Sequence, residues 1–239
     1  IALLKNNLHF LSSDFTLASF DIKTQKIKGN EKLILAGSYI AVADTSLVVC
    51  QGWSFIMHGN RKVFFYEMIN GKYFNVRLKR GQNYNDKFFL GFTNGDIFLV
   101  NKNTGEVTDD QHIVRDLPRI FSVHLKNNEM WIGTKNGLYN WKNNKIHFLG
   151  KEHPLFASRI EDIASNGDTL FFATRGYGLI SVYHNKIIKQ YTEADGLASN
   201  MTRCVTIGKN GNIWVGTNRG ISRLKKTGKN YVLSTLSVL

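Results

Sequence analysis

The stretch "NGNIWVGTNRGISRL", Asn210 to Leu224, restates a phrase that the chain has already used. Trp214 opens "WVGTNRG"; Phe171 opens "FFATRGYG" 43 residues earlier, Trp131 opens "WIGTKNG" 40 before that, and Phe89 opens "FLGFTNG" after a further 42. One insertion, Tyr177, is the sole length change within the phrase. Two more steps back fall on Leu47 in "SLVVCQGWSFIMH" and His9 in "NLHFLSSDFTLASFD", where only the order of apolar run, turn and apolar run survives. A fixed period of this length implies stacked or radial units rather than one irregular core.

Six such units fill the 239 residues, with boundaries at about 1–30, 31–73, 74–117, 118–157, 158–200 and 201–239. The fourth shows its interior best: "RIFSVHL", "EMWIGT", "GLYNWK" and "KIHFL" are four β-prone runs separated by Asn- and Lys-rich turns. In the second run Met130, Trp131 and Ile132 are consecutive, as in a strand buried on both faces. Helical repeats have periods of about 33–34 and need a 3.6-residue apolar spacing that is absent here. The fold class is therefore all-β: a β-propeller of about six four-stranded antiparallel blades forming a single domain over 1–239, either whole or part of a larger, seven-bladed ring. Within the phrase, Trp131 or Trp214 is the wedge between blades, Gly133, Ala173 or Gly216 the slot beside it, and the later Gly the left-handed position of a turn.

Composition agrees. Two prolines and 21 glycines, with 43% hydrophobic and 12% aromatic residues, suit short strands and tight turns around a buried core. No apolar run reaches the roughly 18 residues of a membrane span, and "IALLKNNLHFL" lacks the layout of a signal peptide. A first residue Ile1 rather than Met suits a piece cut from a longer, membrane-anchored protein. Cys50 and Cys204 are too few for a disulfide framework and are expected as buried free thiols. The net charge of +13 favours acidic partners, yet the cations are dispersed: "RLKRG" at 77–81 and "RLKKTGK" at 223–229 are too short for a nucleic-acid arm, so no nucleic acid is expected.

The string "YTEADGLASNMTRCVTIGKNGNIWVGTNRGISRL" at 191–224 resembles the two-component regulator propeller repeat, which places a "dGL-s-n" entry before the innermost strand and then "G-lW-GT--Gl-r". Segments 155–182 and 119–141 resemble it with substitutions. The resemblance implies an extracytoplasmic (periplasmic) sensing region of a bacterial hybrid two-component regulator or sensor histidine kinase, partnered by further domains of the same polypeptide and compatible with a homodimer. It also implies ligands such as oligosaccharides.

Alternation of strand direction puts the B–C turns and the D–A connections on one face of a propeller. That face carries Asn94, Lys135, Arg175, Tyr177, Asn218 and Arg219 in turns, and Arg119, Arg159 and Arg203 at the entries to innermost strands. Planar guanidinium forks bind carboxylate or sulfate in pairs, so the ligand is expected to be a small anion or acidic oligosaccharide, with Arg175 beside Tyr177 the leading candidates. Catalytic signals are thin. Adjacent Glu161 and Asp162 point to opposite sides of a strand, Asp195 reads as a turn stabiliser, and the seven histidines show no metal-ligand spacing, so neither a catalytic residue, a metal nor a cofactor is expected. "KNGNIW" at 209–214 resembles the sialidase Asp-box but has Gly208 and Asn210 where its Ser and Asp would stand. Two other functions compete: an interaction scaffold using an apolar patch at Trp53, Phe55, Phe64 and Phe65, and a carbohydrate-active lyase or hydrolase.

Overall fold

Each unit of the repeat folds as a four-stranded antiparallel sheet in which neighbours in sequence are neighbours in space. The computed structural model describes residues 2–4, 7–11, 16–32, 37–43, 46–51, 54–58, 61–64, 78–84, 87–92, 94–101, 112–228 and 230–236, with side chains described at 20–27, 89–92, 94–99, 113–228 and 230–236. The chain divides into two compact units, Ile1–Leu117 and Pro118–Leu239.

The first unit holds three sheets. They are β1–β4 (Ala2–Leu4, Asn7–Leu11, Thr16–Asp21, Lys26–Lys32), β5–β8 (Gly37–Ala43, Ser46–Gln51, Ser54–His58, Arg61–Phe64) and β9–β12 (Leu78–Tyr84, Lys87–Phe92, Ile97–Asn101, His112–Val114). The first sheet runs two residues past the boundary expected at 30. Phe89, the wedge of the third sheet, is fully buried.

The second unit holds β13–β16 (Ile120–Lys126, Glu129–Thr134, Gly137–Lys142, Lys145–Phe148), β17–β20 (Ile160–Asn166, Thr169–Thr174, Leu179–Tyr183, Lys186–Tyr191) and β21–β24 (Thr202–Ile207, Ile213–Thr217, Gly220–Thr227, Asn230–Leu236). These are the fourth, fifth and sixth blades. Their hairpins close on residue pairs in the left-handed region: Asn127 and Asn128 (φ 52° and 59°), Asn143 and Asn144 (51° and 58°), His184 and Asn185 (47° and 62°). Two successive positive φ angles give the backbone twist that matches paired strands, and Asn bears that conformation better than most side chains.

Two apolar layers join the three blades. Trp131 and Leu138 of the fourth blade pack against Ile160, Ile163, Leu170, Phe172, Ile180 and Val182 of the fifth. On the other side of the fifth, Phe171, Ala173 and Leu179 meet Val205, Ile213, Val215 and Leu224 of the sixth. The wedge and slot are physical: Trp131 is buried, its ring tilted against Phe172 at 5.9 Å, and a Cβ added to Gly133 would lie 2.2 Å from Ser122 Oγ and 2.8 Å from Ile160 Cγ2. No side chain larger than hydrogen fits there.

Two expectations change. Cys204 is exposed rather than buried. Thr202 and Val205 of β21 turn towards the fifth blade, and a register shift between Thr202 and Cys204 sends the thiol to the opposite face, where a Cβ on Gly216 would be 2.5 Å from its Sγ. Trp214, on that same outer face, is half-buried where its counterpart Trp131 is buried. The Cys50 side chain and the patch at Trp53, Phe55, Phe64 and Phe65 lie outside the described residues.

Candidate functional site

The Thr of the repeated phrase builds the B–C turn. Its hydroxyl donates to the carbonyl of the Gly that resumes the chain and accepts from a turn amide: Thr134 with Gly137 (2.8 Å) and Asn136 (3.2 Å), Thr174 with Gly178 (2.8 Å) and Tyr177 (3.2 Å), Thr217 with Gly220 (2.9 Å) and Arg219 (3.1 Å). The first turn residue then ties back to the entry of the innermost strand. Lys135 N–H donates to Arg119 O, Arg175 to Arg159 O and Asn218 to Met201 O, at 2.9, 2.9 and 3.1 Å. Three turns and three strand entries are thereby fixed together on one end of the blades, and the side chains between them are left exposed.

A second device recurs at the strand entries. In each innermost strand of this unit the register steps over one residue: Phe121 between Ile120 and Ser122, Glu161 between Ile160 and Asp162, Arg203 between Thr202 and Cys204. The backbone register of the first unit shifts likewise between Gly37 and Tyr39, and opposite Gly91 and Phe92. Such bulges re-aim a side chain out of the sheet's alternation.

The three re-aimed residues meet the predicted cations. Arg159 holds Glu161 with Nη2 at 3.1 Å from Oε2, while its Nε lies 2.9 Å from Oε1, close enough for an ion pair but not aligned for a hydrogen bond. Arg203 reaches the same Oε1 from the next blade at 3.3 Å and donates from Nε to Asn218 Oδ1 at 2.7 Å. The Arg159 guanidinium also lies over the Phe121 ring at 3.8 Å, with that of Arg119 at 5.6 Å. Arg119, Arg159, Arg203 and Asn218 are thus drawn into one network around Phe121 and Glu161.

The remaining candidates are separate. Arg219 pairs with Glu193 at 3.6 Å, and Glu193 is fixed by Asn200, whose N–H donates to Oε1 and whose Oδ1 accepts from the Glu193 N–H, both at 2.8 Å. That clamp holds the Glu193 carboxyl below the usual range. Lys135, Arg175 and Tyr177 are exposed, and among the described residues their side chains have no ion pair or hydrogen bond. Asn94, in the first unit, donates to Asp96 at 2.7 Å. Phe121 and Glu193 are not among the sequence candidates, and Glu161 enters there only as a poor catalytic carboxylate; Arg-x-Phe at 119–121 and Arg-x-Glu at 159–161 lie one period apart.

Three carboxylates weighed in the sequence have structural partners. Glu161 is committed to two arginines, and Asp162 accepts from the Val205 N–H at 3.1 Å. Asp195 accepts from both the backbone and the hydroxyl of Thr192, at 2.9 and 3.0 Å, and caps the short 3-10 turn Glu193–Asp195. Among the described residues no group of three metal-ligating side chains is assembled, and no helix is long and apolar enough to cross a membrane.

Comparison with known proteins agrees with this architecture. Residues 196–219 match the family model described as two component regulator propeller. The chain is similar in structure to the extracellular domain of the hybrid two component system BT4673 from B. thetaiotaomicron, with a TM-score of 0.71 at 18% identity over 93% of this chain and 31% of that one. It also resembles BamB from Moraxella catarrhalis (TM-score 0.63, 12% identity, 99% of this chain and 72% of that one) and the β-propeller domain of Cps50 (Swd1) from Myceliophteria thermophila (0.66, 8%, 91% and 79%). The chain spans about a third of the length of the BT4673 domain. No curated protein matches it in sequence. The fold is a β-propeller, and residues 196–219, with the capped Glu193–Asp195 turn leading into them, match the two component regulator propeller repeat.

Proposed function

We propose that this chain is a non-catalytic, ligand-sensing propeller of a bacterial two-component signalling protein, lying outside the cytoplasm and passing its signal to further domains or a second protomer. The similarity to an extracellular two-component domain supports the class. One observation carries the ligand chemistry: Arg119, Lys135, Arg159, Arg175, Arg203 and Arg219 stand at the turns and strand entries of one end of the unit, and the carboxylates paired with them are two, Glu161 and Glu193. Such an excess of cations favours an anionic ligand, an acidic oligosaccharide or similar small molecule. Titration calorimetry with galacturonic-acid oligomers and sulfated disaccharides tests it. Heat that is lost in Arg175→Ala and in Arg219→Ala supports the reading; equal heat in both variants, or none with any acidic sugar, refutes it.

A protein-interaction role is the second reading, favoured by the outer face of the sixth blade. Ile221 (45% exposed), Val232 (57%) and Leu236 (51%) lie there beside half-buried Trp214, and Ile221 is paired directly across from Leu236. Pull-down by the intact face but not by Ile221→Asp would favour it.

A further inference from the structure

The grooves between successive blades, on the end of the unit opposite the arginine network, are built alike but filled differently. Lys126 of the fourth blade and Asn166 of the fifth occupy the same place in the repeat, and each crosses to the next blade: Lys126 Nζ donates to Gly167 O at 2.6 Å, Asn166 Nδ2 to Gly211 O at 3.1 Å. Trp131 and Phe171 are likewise equivalent wedges. Between the fifth and sixth blades an aromatic ring completes the arrangement. Tyr231 stands edge-on to Phe171 at 5.7 Å and 87°, and its hydroxyl accepts from Asn166 Nδ2 at 2.9 Å.

Between the fourth and fifth blades no tyrosine takes this place, and the hairpin residues His184 and Asn185 border the space instead. Tyr231 comes from the hairpin that β23 and β24 carry out to Thr227 and Asn230, where Tyr231 pairs with Lys226. The fifth blade turns back earlier, at His184 and Asn185, so its outer strand has no residue at the corresponding place. What remains is a cavity of about 340 Å³ over Trp131 and Leu170, lined by Lys126, bordered by Asn127, His184 and Asn185 and rimmed by Glu129, Lys142 and Asp168. Its size lies at the lower end of the range for small-molecule sites.

We propose that this cavity binds a small neutral phenol, whose ring takes the place that Tyr231 fills one groove along and whose hydroxyl accepts from Lys126. The donor is in position. Lys126 is largely buried, and its ammonium retains hydrogens beyond the one given to Gly167 O, as Asn166 spends its two on Gly211 O and the Tyr231 hydroxyl. Burial also lowers the Lys126 pKa, against the opposing pull of Asp168. Neutrality follows from the rim: Lys142 is paired with Glu129 at 2.5 Å and Lys126 with Asp168 at 3.8 Å, so the four charges cancel and neither sign of ligand is favoured. This site is independent of the anion reading, in ligand charge and in position.

The test uses p-cresol and toluene as probes, followed by proton–nitrogen correlation spectra of the whole chain. With p-cresol, shifts are expected at the Trp131 indole N–H and at the amides of Lys126, Gly167 and His184. Toluene is expected to bind about tenfold more weakly, the loss of one hydrogen bond to a charged donor. Lys126→Met should abolish that preference, and Lys126→Asn, which installs the residue found at the equivalent position, should retain it. Absence of shifts at Trp131 at millimolar p-cresol, equal binding of the two probes, or shifts confined to the Arg159–Arg203 end would each overturn the proposal.

Discussion

Arg203 of the sixth blade reaches back to Glu161 of the fifth, Nη1 to Oε1 at 3.3 Å, so that an internal carboxylate occupies the fork where an external one would bind. The Glu161 side chain is 8% exposed and that of Arg203 44%. The acid is therefore the fixed partner and the guanidinium the accessible one.

Glu161→Gln should raise the affinity for an acidic ligand, because it removes the anion that competes for Arg159 and Arg203. A several-fold tighter association with sulfated disaccharides is expected, with a steeper dependence on salt. Calorimetry at two ionic strengths measures both; weaker binding in the variant would show that Glu161 orients the arginines for the ligand instead.

Asp162→Ala should destabilise the second unit by about 1–3 kcal/mol, because the Val205 N–H is left without its acceptor at a buried joint between blades. A fall in Tm of roughly 3–8 °C is expected from scanning calorimetry. Asp162→Asn, which keeps a carbonyl acceptor, should recover most of the loss.

Gly133→Ala should cost about 1–3 kcal/mol, because its methyl would press into Ser122 and Ile160. Gly167→Ala is the control. Its backbone is left-handed at φ 55° but the space beside it is open, so only conformational strain of about 1 kcal/mol is expected. Denaturant midpoints for the two variants would separate clash from strain, and equal losses would contradict the slot assigned to Gly133.

The connection before the sixth blade should loosen in acid. The Thr192 N–H, then its hydroxyl, with Lys189 assisting, hold the Asp195 carboxyl below the usual range. A folded pKa below the unfolded value means that the cap stabilises fully above about pH 4 and is lost as pH falls through the lowered value. Amide exchange at Thr192 and Leu197, corrected for intrinsic rates, should accelerate as pH falls below about 4, and Asp195→Asn should make that step smaller.

The blades were legible because they recur: Trp131, Phe171 and Trp214 appear at one spacing, and the strands fall where the apolar runs do, within about a residue. The turn candidates were legible for the same reason, since the residues that vary inside a constant phrase are the exposed ones. Three features were not. The bulges leave no mark in a sequence, as an extra residue in one strand shows only against its partner, and so the aim of the Phe121 and Glu161 side chains and the outward turn of Cys204 could not be foreseen. The ion pair of Arg203 with Glu161 joins residues 42 positions apart through geometry alone. The cavity between the fourth and fifth blades depends on the two hairpins differing in reach, which only the register reveals.

The residue that the register steps over at each bulge has a consequence for how such a domain diversifies. Its neighbours answer to the ladder and to the packed layers between blades, but the residue itself answers to neither. Phe, Glu and Arg stand at this one place in three consecutive blades, and the ladder register on either side of them is the same. The fold thus sets aside one editable letter per blade, and a new specificity can be spelled by substitution there while the scaffold stays unrewritten.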